Sequence, residues 1–572
     1  MRGRVALVTA LLLAVSQTAS ACPGDGGQQA APAGAGGYPR NETLYTSGTQ
    51  WGPPSSWNPV IPGGVTGTVG LIYETLFLYD PNKLAMTPWL AEKGEWTGDK
   101  VYTLTIREGV TWGDGKPFTA EDVKYTLELG KIKAVPYSNL WTWLASAEVT
   151  DPKTVKFTFS DVRYQEWDNF LYENAIVPKH IWSTRSEADI TTTKNEKPVG
   201  TGPYEYLTHD QDRSVYKKKA SWWATKALKL EVKPTYIVDI VNSSNEVAMG
   251  LLLQGKMDLS NNFLPGVANL VKGSFNIKTY YPEPPYMLSA NVAMLIPNTT
   301  KAPMNDAAFR RALAHSIDTK KIVEGVYGKL VKQADPTGLL PVWEKYIDKA
   351  AVSALGFTFD TAKAKSMLTA AGYTDKNGDG FVEAPNGSAI KLSLIVPAGW
   401  TDWMEAIRVI SSGAQAAGIN IVPEFPDSGA LDDARTAGNF DLLINNWTEM
   451  SNTPWTFYNY LFQLPVQEKQ FNANFERYTN DSAWALVQKL SRTPTDKPEF
   501  QTTLAELQKI HLTELPAIPL WFNGLWSQVN DSVWTNWPSS APDAPKHLPT
   551  TWNNFWERGA IYMLCDLKPV SK

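Results

Sequence analysis

Six short stretches of this 572-residue chain set an aromatic ring beside an amide, hydroxyl or carboxylate. They are Gln50-Trp51, Trp57-Asn58, Asn261-Asn262-Phe263, Trp400-Thr401-Asp402-Trp403, Asn445-Asn446-Trp447 and Trp521-Phe522-Asn523. An indole or phenyl face packs on a flat C–H surface, and an amide beside it donates and accepts at once. A ligand that matches has flat faces with a rim of hydroxyls, which is the surface of a carbohydrate. Covering one pyranose face hides about 40–60 Å² of apolar area, or roughly 1–1.5 kcal/mol. Micromolar affinity requires about 8.2 kcal/mol, so two or three platforms with a set of hydroxyl hydrogen bonds are needed, and the pattern suits an oligosaccharide better than a single ring. Loop position and polar neighbours favour a ligand role for Trp51, Trp400, Trp447 and Trp521, with Trp57 and Trp403 beside them. Glu449, two residues past Trp447, can accept hydroxyl hydrogen bonds, whereas Trp89, Trp141, Trp143, Trp534 and Trp537 read as core.

A second constellation is Asp375-Lys376-Asn377-Gly378-Asp379-Gly380-Phe381-Val382-Glu383. It fits the first nine positions of a calcium loop, with Asp375, Asn377, Asp379, Phe381 and Glu383 at alternate positions and glycine at the turn. Position twelve is Asn386 where a bidentate Glu belongs, so an Asx-rich turn between helix and strand fits as well. Structural Ca²⁺ is the one cofactor this suggests. Five dispersed His and two Cys disfavour a zinc cluster, an iron–sulfur site or a disulfide framework. A net charge of -5 offers no general attraction for nucleic acid. No G-x-S-x-G elbow, Walker loop or H-E-x-x-H pattern is present. A glycosidase, the rival enzyme class, needs two carboxyls flanking one bond, and the reading here is a binder.

The elements that must position these residues are α/β, mixed α+β toward the N-terminal half. Tyr45 to Ser47 reads as a strand and Val65 to Phe77 as an amphipathic helix. Val101 to Glu108 alternates like a strand, and Thr119 N-caps a helix through Leu129. Asn305 or Asp306 caps one further helix and Asp360 another, the second ending at Gly372. Lys391–Val396, Trp403–Ala417 and Ile419–Glu424 form a βαβ unit, which needs a parallel sheet. At the N-terminus, Arg2 and Arg4 precede the apolar run Val5 to Val15, too short to span a bilayer and laid out as a secretory signal peptide. Ala19-Ser20-Ala21-Cys22 then resembles a lipobox, an ordinary cleavage site with an incidental Cys being the alternative, and residues 23–37 are a flexible tether.

Five segments in order resemble the family 5 extracellular solute-binding proteins of ABC transporters. They are YTLTIREGVTWGDGKPFTAEDVKYTLE (102–128), PVGTGPYEY (198–206), MNDAAFRRALAHSIDTKKIV (304–323), FDTAKAKSMLTAAGYTDKNGDG (359–380) and AIPLWFN (517–523). Locally these motifs read as structural, Arg107 pairing with an acid and Arg310, Arg311 and Asp318 forming a salt-bridged helix; Trp222 and Trp223 stay outside the site. The resemblance implies two lobes hinged in the manner of periplasmic binding proteins, with an extra subdomain in the first. Signal peptide would be 1–21, lipidated Cys22 and linker 22–39, the first lobe 40–72, 199–295 and 525–572, its subdomain 73–198, and the second lobe 296–524. It also implies a monomer that delivers its ligand to ABC-transporter permease subunits, touches membrane only through its lipid at the outer face of the cytoplasmic membrane, and leaves Cys565 unpaired. Peptide-binding relatives carry a W-x-x-D pattern whose Asp holds the peptide ammonium, and Met450 stands there in this chain. An ammonium enclosed without its carboxylate costs about 2–5 kcal/mol. The resemblance is therefore to the branch binding β-linked gluco-oligosaccharides such as cellobiose. An oligopeptide is the alternative, with Glu449 able to replace the missing Asp. If Cys22 carries the lipid, Cys22→Ala releases the protein into the medium with ligand affinity unchanged, and a wild-type protein found wholly soluble in its host contradicts the anchor.

Overall fold

The computed structural model describes residues 37–48, 50–447, 450–471, 473–553 and 555–570, and of Trp447 and Phe555 the backbone alone. The expected signal peptide, the expected lipidated Cys22 and Glu449 lie outside the described residues. Two large mixed sheets organise the chain into two lobes. The first has seven strands in the order Ile277–Thr279, Gln528–Asn530, Leu259–Ser260, Thr43–Ser47, Tyr236–Ile240, Arg213–Lys218, Tyr204–His209. Three of its central strands, Leu259–Ser260, Thr43–Ser47 and Tyr236–Ile240, run parallel. The second has six strands: Lys332–Gln333, Ile518–Leu525, Leu288–Pro297, Leu442–Trp447, Leu392–Ile395, Ile421–Glu424. A separate four-stranded antiparallel sheet spans Ala91–Gly98 to Thr154–Phe159 and forms the extra subdomain. Strand Leu288–Pro297 belongs wholly to the six-stranded sheet, so the lobes divide before Leu288, ahead of the boundary expected after 295.

Local chemistry explains most of these elements. In Val101–Ile106 the side chains of Tyr102, Leu104 and Ile106 are buried while the residues between them are half-buried, as a period of two requires. The helix Ala120–Glu128 starts at Thr119, whose backbone N–H donates to Asp122 Oδ2 at 2.8 Å. Asp306 and Asp360 accept from the backbone N–H groups of Ala308 and Lys363 and start helices Ala307–His315 and Thr361–Ala370. Leu392–Ile395, the helix Thr401–Ala416 and Ile421–Glu424 make the expected parallel βαβ unit. Arg310 and Arg311 are spent mainly on carbonyls of Met304, Glu514, Leu515 and Leu512 rather than on an ion-pair ladder. Asp318 caps the next short helix.

The helix expected over 65–77 does not form. Gly67 and Gly70 adopt φ of +88° and +108°, and the chain folds into tight turns before strand Phe77–Asp80. The carbonyls of Leu71 and Ile72, which a helix would keep for itself, accept instead from Tyr204 (3.1 Å) and Gly202 (2.8 Å). That close approach explains the glycines of PVGTGPYEY: a Cβ on Gly200 would stand 1.9 Å from the Ile72 oxygen, and one on Gly202 2.3 Å from that of Leu71. Next to this crossing, the buried Glu74 carboxylate accepts indole N–H groups from Trp89 (3.0 Å), Trp222 (3.3 Å) and Trp223 (2.7 Å). Burial raises its pKa, and these donors oppose the shift. Arg107 takes no acid here; its Nε donates to the Trp89 carbonyl at 2.8 Å and its guanidinium lies 5.5 Å over Trp223.

Asp239, in the middle of the seven-stranded sheet, receives the Thr46 hydroxyl at 2.7 Å on one carboxyl oxygen and has no partner on the other. Burial pushes its pKa up to about 7. An unfolded Asp releases its proton near ~3.9, so between that pH and about 7 the folded state binds more protons. Stability from this group is present at acid pH and lost as pH rises through that window. Asp239→Asn is therefore expected to lessen the loss of stability between pH 5 and pH 8 by about 1–3 kcal/mol. Denaturant titrations at both pH values check this, and an unaltered pH slope refutes it.

Candidate functional site

The carboxyl ends of the parallel strands of both sheets face one cleft of about 320 Å³, the position where open α/β sheets bind ligands. From the first lobe, Thr43–Ser47 leads to Trp51, Tyr236–Ile240 to Asn245, and Leu259–Ser260 to Asn261, Asn262 and Phe263. From the second, Leu392–Ile395 leads to Trp400, Asp402 and Trp403 at the start of the helix, and Leu442–Trp447 delivers Asn446. The floor is Asn291 and Asn523 from two paired strands, followed by Trp526. Asn553, Trp556 and Glu557 close it from the C-terminal segment.

Several of these amides offer atoms that no described residue uses. Among the described residues, Asn262 Nδ2, Asn291 Oδ1, Asn446 Oδ1 and Asn523 Oδ1 are buried without a hydrogen-bond partner, as is the Trp556 indole N–H. Buried polar atoms are rarely left so, each costing about 1–3 kcal/mol. Trp51 projects from the first lobe, 51% exposed, and its ring faces Trp400 of the second at 6.3 Å and 30°. Trp400 meets Trp403 edge-on at 4.9 Å. Among the described residues lining the cleft none is Lys, Arg or His, and the ionisable ones are Asp402 and Glu557. Tyr327 Oη donates to Asp402 Oδ2 at 3.1 Å, and burial pushes the Asp402 carboxyl up to about 6. Thr550 Oγ1 donates to Glu557 Oε1 at 3.0 Å.

The structure thus brings together Trp51, Asn262, Phe263, Trp400, Trp403, Asn446 and Asn523 of the residues expected from sequence. Four others go elsewhere. Gln50 braces its own loop, donating to the Gly52 carbonyl at 2.7 Å. Trp57 is fully buried against Tyr206 and His209, with ring centroids 4.4 and 4.8 Å away. Asn445 faces away from Asn446, as alternation demands, and its Oδ1 accepts from Arg435 at 2.8 Å. Trp521 is fully buried against Tyr327 at 5.3 Å. The Trp447 side chain and Glu449 lie outside the described residues. Sequence reasoning missed Asn245, Asn291, Asp402, Trp526, Asn553, Trp556 and Glu557 as site residues. Asp402 had a signal in its place between two tryptophans, and Asn245 in the Ser244 cap before it; the C-terminal segment had none.

The family model for the middle region of bacterial extracellular solute-binding proteins, family 5, matches residues 85–467. The chain belongs to this family. It superposes with a TM-score of 0.90 and 42% identity on the periplasmic oligopeptide-binding protein of an oligopeptide ABC transporter from Thermotoga maritima, over 93% of this chain and 100% of that one. A structure of that protein with bound mannohexaose gives a TM-score of 0.87 at 43% identity, over 93% and 99%. The probable peptide-binding protein YejA of Agrobacterium fabrum is 22% identical over 554 residues, covering 89% of this chain and 88% of its own. The dipeptide-binding protein of Escherichia coli is 22% identical over 531 residues, covering 86% and 89%. As a family 5 protein the chain is the solute-binding component of an ABC importer, acting outside the cytoplasmic membrane with permease subunits, in a family of transport proteins and not of enzymes. Among the described residues no helix is long and apolar enough to cross a membrane.

Met450, which stands at the expected position of a peptide-ammonium anchor, is buried in the core. The next carbonyl, Ser451, accepts Tyr79 Oη (2.7 Å) from the extra subdomain and Trp343 Nε1 (3.1 Å) from the second lobe. Far from the cleft, carboxylate oxygens of Asp375, Asp379 and Glu383 lie within 4.8 Å of one another. Gly378 and Gly380 N–H groups donate to Asp375, Phe381 N–H to Asp379, and Lys376 N–H and the Asn377 amide to Glu383.

The split between core and cleft tryptophans is measurable. Trp57→Ala is expected to lower folding stability by about 3–5 kcal/mol, as loss of a large buried ring does, whereas Trp51→Ala, on the surface, costs less than about 1 kcal/mol. Denaturant melts of the two variants that coincide would contradict the assignment.

Proposed function

We propose that this chain captures an oligosaccharide of neutral hexose units, such as mannohexaose or a cello-oligosaccharide, and hands it to the permease of its importer. The observation that carries the reading is the set of buried amide atoms on Asn262, Asn291, Asn446 and Asn523 that no described residue partners, set among the rings of Trp51, Trp400, Trp403 and Trp526. Hydroxyls both donate and accept, so they can satisfy amide nitrogens and amide oxygens alike, while pyranose faces cover the indoles. The mannohexaose held by the Thermotoga maritima relative supports the same reading and widens the expected ligand from cellobiose-type chains to manno-oligosaccharides. Trp51 and Trp400 come from different lobes, so a ligand touching both bridges the hinge and draws the population toward the closed form. In this reading Cys22 anchors the protein by its lipid, and the Asp375–Glu383 loop is an Asx-rich turn whose carboxylates are filled by its own N–H groups.

A second reading, oligopeptide capture, is favoured by the peptide-binding relatives. The described lining has no basic residue for a peptide carboxylate, and with Met450 buried the ammonium would have to use one of the two cleft carboxylates, Asp402 or Glu557.

Calorimetry with mannohexaose, cellohexaose and tri- to nonapeptides separates the two. The better hexaose is expected to bind at least tenfold more tightly than any peptide, a gap of about 1.4 kcal/mol. Trp400→Ala should weaken it by about 1–3 kcal/mol, and small-angle scattering should show a smaller radius of gyration on saturation. Thermal melts should rise with the hexaose and stay level with Ca²⁺. Tight peptide binding with no sugar response reverses the choice of ligand.

A further inference from the structure

We infer that the cleft is a charge filter that excludes acidic oligosaccharides, with Asp402 as the specificity-determining residue and Glu557 as its support. The inference rests on the oligosaccharide reading above and narrows it to uncharged chains.

Asp402 sits at the second position of the helix Thr401–Ala416, whose N-terminus opens toward the cleft. The first turn of such a helix carries unpaired N–H groups and about half a positive charge, and it is a ready site for a ligand anion. Here the protein's own carboxylate takes that place. Burial disfavours the charged form of the Asp402 carboxylate and pushes its pKa up to about 6, opposed by the Tyr327 hydroxyl and the backbone N–H groups of Trp403 and Asp402, so it is ionised at pH 7.5; Tyr327 Oη holds Oδ2 at 3.1 Å. Tyr327 itself is wedged between Phe263 (5.5 Å), Trp521 (5.3 Å) and Trp526 (6.1 Å), which holds the hydroxyl that orients the carboxylate in place. Asp402 and Tyr327 are buried, and a like charge placed beside a buried carboxylate is poorly screened. Glu557 adds a second carboxylate from the C-terminal segment, and no described lining residue offers a cation in compensation. A hydroxymethyl group on each hexose is tolerated in such a cleft. A carboxylate in its place meets two fixed acids.

Mannohexaose and the hexamer of mannuronic acid differ in that one group on each ring, which makes them the probe pair, with cellohexaose as a second neutral chain. By calorimetry at pH 7.5 the wild type is expected to bind the neutral hexamer at least 30-fold more tightly than the uronate. Asp402→Asn should shrink that ratio at least tenfold, since it removes the charge and frees the helix N-terminus for an anion. Glu557→Gln, which leaves Tyr327 and its aromatic neighbours untouched, should shrink it about threefold and serves as the test if the first variant folds poorly. Equal binding of both hexamers by the wild type overturns the filter while leaving oligosaccharide capture intact. A ratio that survives in both variants overturns the assignment to these carboxylates. Binding of neither neutral hexamer overturns the oligosaccharide reading and the filter with it.

Discussion

The antiparallel pair Leu288–Pro297 and Ile518–Leu525 holds the molecule to its working geometry. The first strand brings the chain into the six-stranded sheet and the second returns it to the seven-stranded one, so both passages between the lobes lie at the same end of one ladder. The pairing is broken by a register shift between Ser289 and Asn291, where Asn291 comes opposite Asn523. A bulge re-aims side chains at the cost of ladder regularity, and here it brings two amides together on the cleft floor. Just beyond, Gly524 lies so close to the Trp526 ring that a Cβ would approach it to 2.9 Å. The passage has little slack, which suits a segment that must bend reproducibly without losing register.

The aromatic abundance of the chain divides between this cleft and the scaffold behind it. Trp89, Trp222 and Trp223 converge on Glu74 and convert a buried acid into a joint between the first sheet and the C-terminal helix, where Tyr562 meets Trp89 edge-on. Trp167 packs among Tyr102, Phe157 and Phe159 under the four-stranded sheet. Helix Tyr164–Glu173 then reaches the second lobe, where Thr453 Oγ1 donates to Gln165 Oε1 (2.9 Å) and Asn169 Nδ2 to Thr456 Oγ1 (3.1 Å). The extra subdomain therefore contacts the second lobe as well as the first, through residues outside the described lining of the cleft.

Caps, period-two strands and the βαβ unit were legible in the sequence because each depends on neighbours a few residues apart. The helix over 65–77 was not, since its apolar periodicity was real but Gly67, Gly70 and the distant strand Tyr204–His209 claimed the backbone. For the cleft, polar-aromatic adjacency found the loops and could not give side-chain direction. Trp57 and Asn445 occupy the right segments and point the wrong way, while Asn446 next door points in. Trp526, Asn553, Trp556 and Glu557 reach the site only because the C-terminal segment folds back across 500 residues of chain toward Trp51. No local pattern carries that information.

The Ser451 carbonyl ties the extra subdomain to two segments of the second lobe, beside the position where the sequence resemblance would put an ammonium anchor. Its consequence is a barrier to exchange of specificity by small steps. An acid at position 450 would be born inside the core, next to a carbonyl already committed to Tyr79 and Trp343, rather than on a cleft wall. An anchor introduced there could face a ligand only after the contact between subdomain and second lobe had loosened. The bracing of the subdomain on the second lobe thus limits which side chains this segment can offer to the cleft.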